Sequence, residues 1–557
     1  MKNAHLGGHL LVETLIAHGT ELVFGVPGES FLAVLDGLYL HREKIRFVPC
    51  RHESGASFMA EAYGKLTGKP GVCIVTRGPG ATNGSVGVHT AFQDSTPMIF
   101  LIGQVSRDII EREGFQEIDY RRMFGEMAKW VAQIDDARRL PEFLSRAFHT
   151  AVSGRPGPVV LALPEDMLMD AADAAADLGA FHVVQASPAA GDVDRVFAML
   201  REAERPIAIV GGSTWTEEAV SDLRRFAEAN GLPVACAFRF QDRFDNRHPL
   251  YAGDIGFGVN PKLVQRVKEA DLVLAIGPRL GEATTGGYTL LDVPRPKQKL
   301  VHIHASVGEL GRVYRADLMI NAGMPQAAAA LADHAPIPNP RWKTRASDAN
   351  AQYREWILRR EIPGRMQLWD MIDWLKANTP ADTIVTNGAG NYTVWVHRFW
   401  QHSAFRTQLA PTVGTMGYGV PAAIAAKIAQ PERTVIAFAG DGCFLMTGQE
   451  LATAVQQRAN VIIIVVNNGM LATIRMHQER EFPAHVFGTD LANPDFAAYA
   501  RAFGAHGEVV ETTADFPAAY ARCVASGKPA LIEVRVDPEG ITPNTTITQL
   551  RQHAVEK

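Results

Sequence analysis

Between Thr434 and Met470 the chain reads TVIAFAGDGCFLMTGQELATAVQQRANVIIIVVNNGM, with an aspartate and an asparagine where they could share a metal ion. Asp441 lies between Gly440 and Gly442 at the end of the apolar run Val435–Ala439, and two glycines there permit a tight turn beside a bound group. Asn468 ends the pair Asn467-Asn468 that follows the β-branched run Val461–Val466. In a parallel βαβ unit both strand C-termini fall on one rim of the sheet, so the carboxylate and the amide carbonyl can converge. With a backbone carbonyl they form a hard oxygen set suited to Mg²⁺, which completes its shell with phosphate and water. The glycine turn offers N–H groups to that phosphate. Taken alone, Gly-Asp-Gly also fits an ordinary sheet loop; its distance from Asn467-Asn468 carries the chemical reading.

A second acid, Glu53, stands in Arg51-His52-Glu53-Ser54 after the strand-like stretch Phe47–Cys50, near the start of a predicted helix. An acid in that first turn also complements the helix dipole, worth about 0.3–1 kcal/mol.

The elements that must position these groups alternate between helix-like and strand-like patterns, which predicts doubly wound parallel α/β domains. The first block, 1–170, has a helix near Leu6–His18, strands at Leu22–Gly25, Ile45–Cys50 and Val72–Thr76, and a helix from Ser54. An Ala/Asp-rich link at Ala171–Ala190 leads to a second block, 190–333, with strands from Pro206, at Leu272–Ile276 and at Leu300–Ile303. The proline-punctuated stretch HAPIPNPRW at 334–342 reads as a linker, and the third block spans 365–545. Within that block, Thr447 and Glu450 have capping-box spacing and predict the start of a helix. The first and third blocks are candidates for one fold diverged beyond visible sequence likeness.

At 557 residues the chain is long enough for several separate cores. A charged fraction of 21% and a net charge of −5 give no electrostatic reason to expect nucleic acid or an anionic membrane as partner. No window approaches the roughly 20 apolar residues of a membrane span and the start has no signal-peptide pattern, so the cytoplasm is the expected compartment. Five scattered cysteines without CxxC spacing read as reduced, buried thiols and argue against a zinc site.

The combination of GDG with NN resembles the metal-diphosphate motif of thiamine diphosphate (ThDP) enzymes. GVPGES at 25–30, RHESGASFMAEAYGKLTGKPGV at 51–72 and TRGPGATN at 76–83 are similar to the pyrimidine-binding domain of the acetolactate synthase group. This resemblance covers nearly the whole chain, with benzaldehyde lyase and oxalyl-CoA decarboxylase as more distant relatives. It implies three domains in series: pyrimidine-binding, middle and diphosphate-binding. It implies ThDP and Mg²⁺ as cofactors, with Asp441, Asn468 and Met470 holding the metal. Glu53 falls at the group's cofactor-activating glutamate, whose carboxyl bonds to N1′ of the aminopyrimidine. Gly28, Asn83, Gly388, Asn391, Gly414, Met416, Gly440, Gly442, Cys443 and Met470 match cofactor-contacting positions. Gln116 and Tyr392 match positions facing the reacting carbon, and either is equally readable as a satisfied polar residue.

The implied reaction is decarboxylation of a 2-oxo acid with transfer of the acyl unit to an aldehyde or ketone. The implied assembly is a homodimer or homotetramer whose sites combine the first block of one chain with the third block of another. One alternative is a ThDP-dependent lyase or hydrolase acting on an acyloin, a diketone or an acyl-CoA. A non-catalytic nucleotide-binding subunit is the alternative from another class.

Departures from the family pattern bear on flavin and substrate. Where flavin-containing members read R-F-D-D-R-x-T-G, this chain has Arg279-Leu280-Gly281-Glu282-Ala283-Thr284-Thr285-Gly286. Their H-I-D-I-D strand is here His302-Ile303-His304-Ala305-Ser306, without either acid. FAD is therefore left open in the middle domain without being expected. His477 stands where the group carries an acceptor-pocket tryptophan, which suits a larger or more polar acceptor; a surface histidine is the other reading. Glu29 and Arg77 replace a glycine and a serine, and an arginine near the pocket could hold a carboxylate.

Overall fold

The computed structural model describes residues 5–172 and 179–556, so residues 173–178 of the expected Ala171–Ala190 link lie outside the described residues. Three six-stranded sheets follow one another along the chain, and every pairing between their strands is parallel. Uninterrupted apolar runs such as Met98–Gln104 and Ile462–Asn467 are buried on both faces, as parallel sheets sandwiched by helices require.

The first sheet contains β1 (Leu22–Gly25), β2 (Arg46–Pro49), β3 (Gly71–Val75), β4 (Met98–Gln104), β5 (Trp130–Gln133) and β6 (Pro158–Pro164). Its order is β2-β1-β3-β4-β6-β5. The second contains β7 (Pro206–Val210), β8 (Val234–Cys236), β9 (Tyr251–Asp254), β10 (Leu272–Ile276), β11 (Lys299–His304) and β12 (Leu318–Asn321). Its order, β12-β11-β10-β7-β8-β9, is that of a doubly wound dinucleotide-binding sheet.

The third sheet contains β13 (Ile384–Asn387), β14 (Gln408–Leu409), β15 (Val435–Gly440), β16 (Ile462–Asn467), β17 (His506–Val510) and β18 (Ala530–Arg535). Its order, β14-β13-β15-β16-β18-β17, repeats the permutation of the first sheet, so the two outer blocks share one topology.

By contact density the chain forms two compact bodies. One comprises Met1–Val184, Val420–Pro431 and Leu445–Val461; the other comprises Gln185–Gly419, Glu432–Phe444 and Ile462–Lys557. All five cysteines are buried free thiols. Among the described residues no helix is long and apolar enough to cross a membrane.

Two expectations change. The 334–342 stretch is not a loose linker: the Trp342 indole donates to the Asn230 carbonyl (3.1 Å) and the Ile337 N–H to the Asn230 side chain (3.0 Å). A helix at Lys343–Trp356 then docks against β9, its Asn350 amide donating to the carbonyls of His248 (3.1 Å) and Tyr251 (2.9 Å). The capping box does not form either. Glu450 is fully buried and its carboxylate accepts from the N–H groups of Arg51 (3.1 and 3.3 Å) and His52 (3.0 Å) and from the Thr453 hydroxyl (2.6 Å). Leaving two buried N–H groups unmade would cost more than a local cap returns.

Candidate active site

In both outer sheets the strand order reverses direction between the first and third strands, which opens a crevice at their C-terminal ends. In the third sheet the loops after β13, β15 and β16 enclose a cavity of about 260 Å³. Asn391, Tyr392, Gly414, Met416, Gly440, Asp441, Gly442, Cys443, Asn468 and Met470 all line it. Nine expected cofactor or metal positions, together with Tyr392, thus meet in one cavity of one body.

Asp441 follows directly on β15 and opens the short helix Asp441–Leu445. Its Oδ1 accepts from the Gly442 N–H (2.9 Å); its Oδ2 accepts from the Gly469 N–H (2.9 Å) and the Asn493 side-chain amide (2.8 Å). Burial pushes the Asp441 carboxyl above the ordinary range, and those donors pull it back. Neither Gly440 nor Gly442 has the positive φ expected of a tight glycine turn. Gly442 serves close approach instead: a Cβ there would stand 2.8 Å from Leu471 Cδ2.

The asparagine pair splits its duties. Asn468 faces the cavity and its Oδ1 accepts from the Met470 N–H (3.2 Å). Asn467 turns away: its Nδ2 donates to Glu533 (2.8 Å) and its Oδ1 accepts from Asn493 (2.9 Å). Asn493 thereby braces both Asp441 and Asn467. Nothing in the sequence singled it out, because it comes from a distant loop with no spacing relation to either strand end.

The donor set fits a hard divalent cation. One carboxylate, the Asn468 amide oxygen and the Met470 backbone carbonyl would serve as oxygen ligands, and Asp441 Oδ1 keeps acceptor capacity beyond its one bond. Asn493 Oδ1 is buried without a hydrogen-bond partner among the described residues, a further oxygen beside the same carboxylate.

Behind the cavity, the Tyr392 hydroxyl accepts from the Gly388 N–H (2.9 Å) and lies 3.4 Å from Cys443 Sγ, which accepts from the Gly417 N–H (3.2 Å). Burial holds the phenol well above its ordinary pKa. Tyr392 is therefore committed to fixing the glycine loop. Asn391 is engaged as well, donating to the Ile541 carbonyl (3.1 Å) and accepting from Thr473 (2.9 Å). The structure does not bring His477 to the cavity. Ala472, Met476 and Glu479 occupy the inward i, i+4, i+7 face of helix Ala472–Glu481, which leaves His477 exposed.

In the first body Glu53 opens helix Glu53–Thr67 and its Oε2 accepts from the Asn83 side chain (3.0 Å). Gly28 follows β1 and abuts Thr76 after β3, where the Ser30 and Thr76 hydroxyls are 2.9 Å apart. Gln116 lies half-buried in a loop between β4 and β5. Arg77 is not available to a carboxylate as expected, because Glu29 (3.0 Å) and Glu165 (2.8 Å) already hold its guanidinium. In the middle domain Arg279 faces Glu309 (3.3 Å), and the buried His302 ring bonds the Pro278 carbonyl (2.9 Å).

Comparison with known proteins bears on all three blocks. Residues 5–123 match the thiamine pyrophosphate enzyme N-terminal TPP binding domain, 193–331 the central domain, and 388–534 the C-terminal TPP binding domain. The acetolactate synthase isozyme 2 large subunit of Escherichia coli (strain K12) is 31% identical over 95% of this chain and 95% of its own. The acetolactate synthase large subunit of Corynebacterium glutamicum is 32% identical over 89% and 81%. A probable acetolactate synthase large subunit of Methanocaldococcus jannaschii is 30% identical over 96% and 93%. With likeness of that extent running through all three sheets, the chain belongs to the thiamine diphosphate-dependent enzymes of the acetolactate synthase-like family.

Proposed function

We propose that this enzyme is a ThDP- and Mg²⁺-dependent carboligase that decarboxylates a 2-oxo acid and passes the acyl unit to an aldehyde or ketone. The observation that carries the reading is the convergence of Asp441, Asn468 and Met470 on one cavity at the switch point of the third sheet. When bound, ThDP supplies a nucleophilic carbon and an electron sink for the broken C–C bond.

The chain's own residues bind, orient and dry the site. Asp441, Asn468 and the Met470 carbonyl would hold Mg²⁺, and the Asn493 amide, which donates to Asp441 Oδ2, orients that carboxylate. Gly440, Gly442 and the loop of Gly388 and Asn391, tied down by Tyr392, would receive the diphosphate. Gly414 and Met416 would contact the pyrimidine. Glu53, oriented by Asn83, would hold a proton at the pyrimidine N1′. Met416, Leu471, Ile474 and Ile541 make the cavity wall apolar and exclude water from the reacting carbon. The oligomer in this reading is a homodimer or homotetramer in which each site takes Glu53 from one protomer and Asp441 from another.

The test is a screen of 2-oxo acids with ThDP and Mg²⁺, following CO₂ release and identifying products. Release of CO₂ with a new C–C bond supports the proposal. Cleavage of acyloins, diketones or acyl-CoA without carboligation would replace it by the lyase or hydrolase reading, and absence of ThDP binding would overturn both.

A further inference from the structure

The two positions where the first block leaves the family pattern, Glu29 and Arg77, meet in space. Glu29 starts the short turn after β1 and Arg77 follows β3, so both stand at the switch-point crevice of the first sheet. The Arg77 side chain is only 8% exposed, and each edge of its guanidinium has a partner. One Nη reaches Glu29 (3.0 Å), the other reaches Glu165 (2.8 Å), and Nε donates to the Phe115 carbonyl (3.2 Å). Glu165 also accepts from Ser106 (3.2 Å), at the base of the loop that carries Phe115.

That loop needs holding. Glu111, Glu113 and Gln116 all have positive φ (64°, 53° and 66°), which a non-glycine residue keeps only where its surroundings enforce it. The Glu117 carboxylate accepts from the N–H groups of Glu111 (2.7 Å) and Gly114 (2.8 Å), and Gln104 donates to the Ile118 carbonyl (2.9 Å). At the tip, the Arg77 bond to the Phe115 carbonyl places Gln116 against Gly78, so closely that a Cβ on Gly78 would stand 2.7 Å from Gln116 Cβ. The cluster sets one guanidinium against two carboxylates, and the Glu29 side chain is 68% exposed. An acceptor carboxylate arriving there would meet net negative charge.

We propose that Arg77, braced by Glu29 and Glu165, is a positioning residue that fixes Gln116 through the Phe115 carbonyl, and that the cluster's net negative charge steers the enzyme toward an uncharged aldehyde acceptor over a second 2-oxo acid. The inference rests on the carboligase reading for its substrate half and on geometry alone for its positioning half, so two measurements separate them.

The first is amide hydrogen exchange over 106–119 in the full-length protein. Arg77→Ser should raise exchange at 113–118 by about tenfold or more. Arg77→Lys should fail to restore protection, since one ammonium cannot span the three acceptors. Unchanged exchange in Arg77→Ser would overturn the positioning role. The second measurement is the acceptor preference of the ThDP-loaded enzyme, as the ratio of kcat/KM for aldehyde to that for 2-oxo acid. Glu29→Gln neutralises one of the two carboxylates and brings the cluster's net charge to zero, while its side-chain oxygen can still accept from Arg77. It should shift the ratio toward 2-oxo acid by about tenfold or more through the KM values, with ThDP affinity unchanged. A ratio within twofold of wild type would overturn the steering role. Wild-type protein that retains ThDP and performs no carboligation would overturn the carboligase reading and the steering role together, while the exchange result still decides the positioning role.

Discussion

The first and third sheets have one strand order and carry opposite chemistry at the same topological place. After the third strand of one, Asp441 presents a carboxylate to a cavity of about 260 Å³ lined by small and apolar residues. After the third strand of the other, Arg77 is buried between two glutamates and bonded to a loop carbonyl. Topology thus locates a crevice without choosing what it does. The third-sheet crevice has Asp441 and Asn468 at the positions where the family resemblance puts oxygen ligands, whereas the first-sheet crevice has an ion pair where that pattern has a glycine and a serine.

The sharpest way to break this contrast is Asp441→Ala. It should leave a folded protein that gains no thermal stability from ThDP and Mg²⁺, while wild type gains about 2.7 kcal/mol at a cofactor concentration 100 times Kd. Equal stabilisation of the variant would show that the third-sheet crevice does not hold the cofactor through this carboxylate.

Glu53→Gln comes next. It should lower turnover by about 10²- to 10⁴-fold and keep most of the cofactor-induced stabilisation, since the diphosphate side is untouched. Co-expression of Glu53→Gln and Asp441→Ala chains should recover part of the activity that each lacks alone, because a mixed dimer gathers both lesions into one of its two sites. Demonstrated heterodimers without recovery would count against shared sites.

A smaller effect is expected at Glu450, which lies in the third sequence block and packs within the first body. Glu450→Ala strands the Arg51 and His52 N–H groups just before Glu53 and should cost about 1–3 kcal/mol, measured by chemical denaturation. A loss below about 0.5 kcal/mol would mean that water replaces the carboxylate without penalty.

The smallest effect is a local response to acid. Glu479 lies between Arg551 and Arg475, and chiefly the Arg551 hydrogen bond holds its carboxyl down to about 2. The folded-state value is below the unfolded one near 4.3, so this staple between helices Ala472–Glu481 and Ile547–Val555 is complete above that pH. It is lost as pH falls through about 2. Amide exchange in 547–555 should accelerate over that window in wild type and already be fast at neutral pH in Glu479→Gln; pH-independent protection would contradict the assignment.

What could be read from the sequence was whatever lies at a strand end. Asp441 and Asn468 follow an apolar run and a β-branched run that read as buried strands, and parallel topology then brings them to one rim. Glu53 and Asn83 were found through the motifs around them, and they do meet. Residues whose role depends on tertiary partners were beyond reach. Glu450 had the right spacing for a cap and turned to the N–H groups of Arg51 and His52 instead. Asn493 has no local pattern to betray it. His477 lay in register with an acceptor residue, yet the phase of its helix turns it to solvent. Arg77 read as a free cation because its two glutamates, Glu29 and Glu165, open helical turns far from it in sequence.

The central claim, that the third-sheet cavity holds ThDP through a magnesium ion on Asp441, is tested most directly by native mass spectrometry with ThDP and Mg²⁺ supplied. Wild type and Glu53→Gln should each carry the added mass of one ThDP and one Mg²⁺ per chain, and Asp441→Ala should carry neither; retention of both by Asp441→Ala would contradict the account.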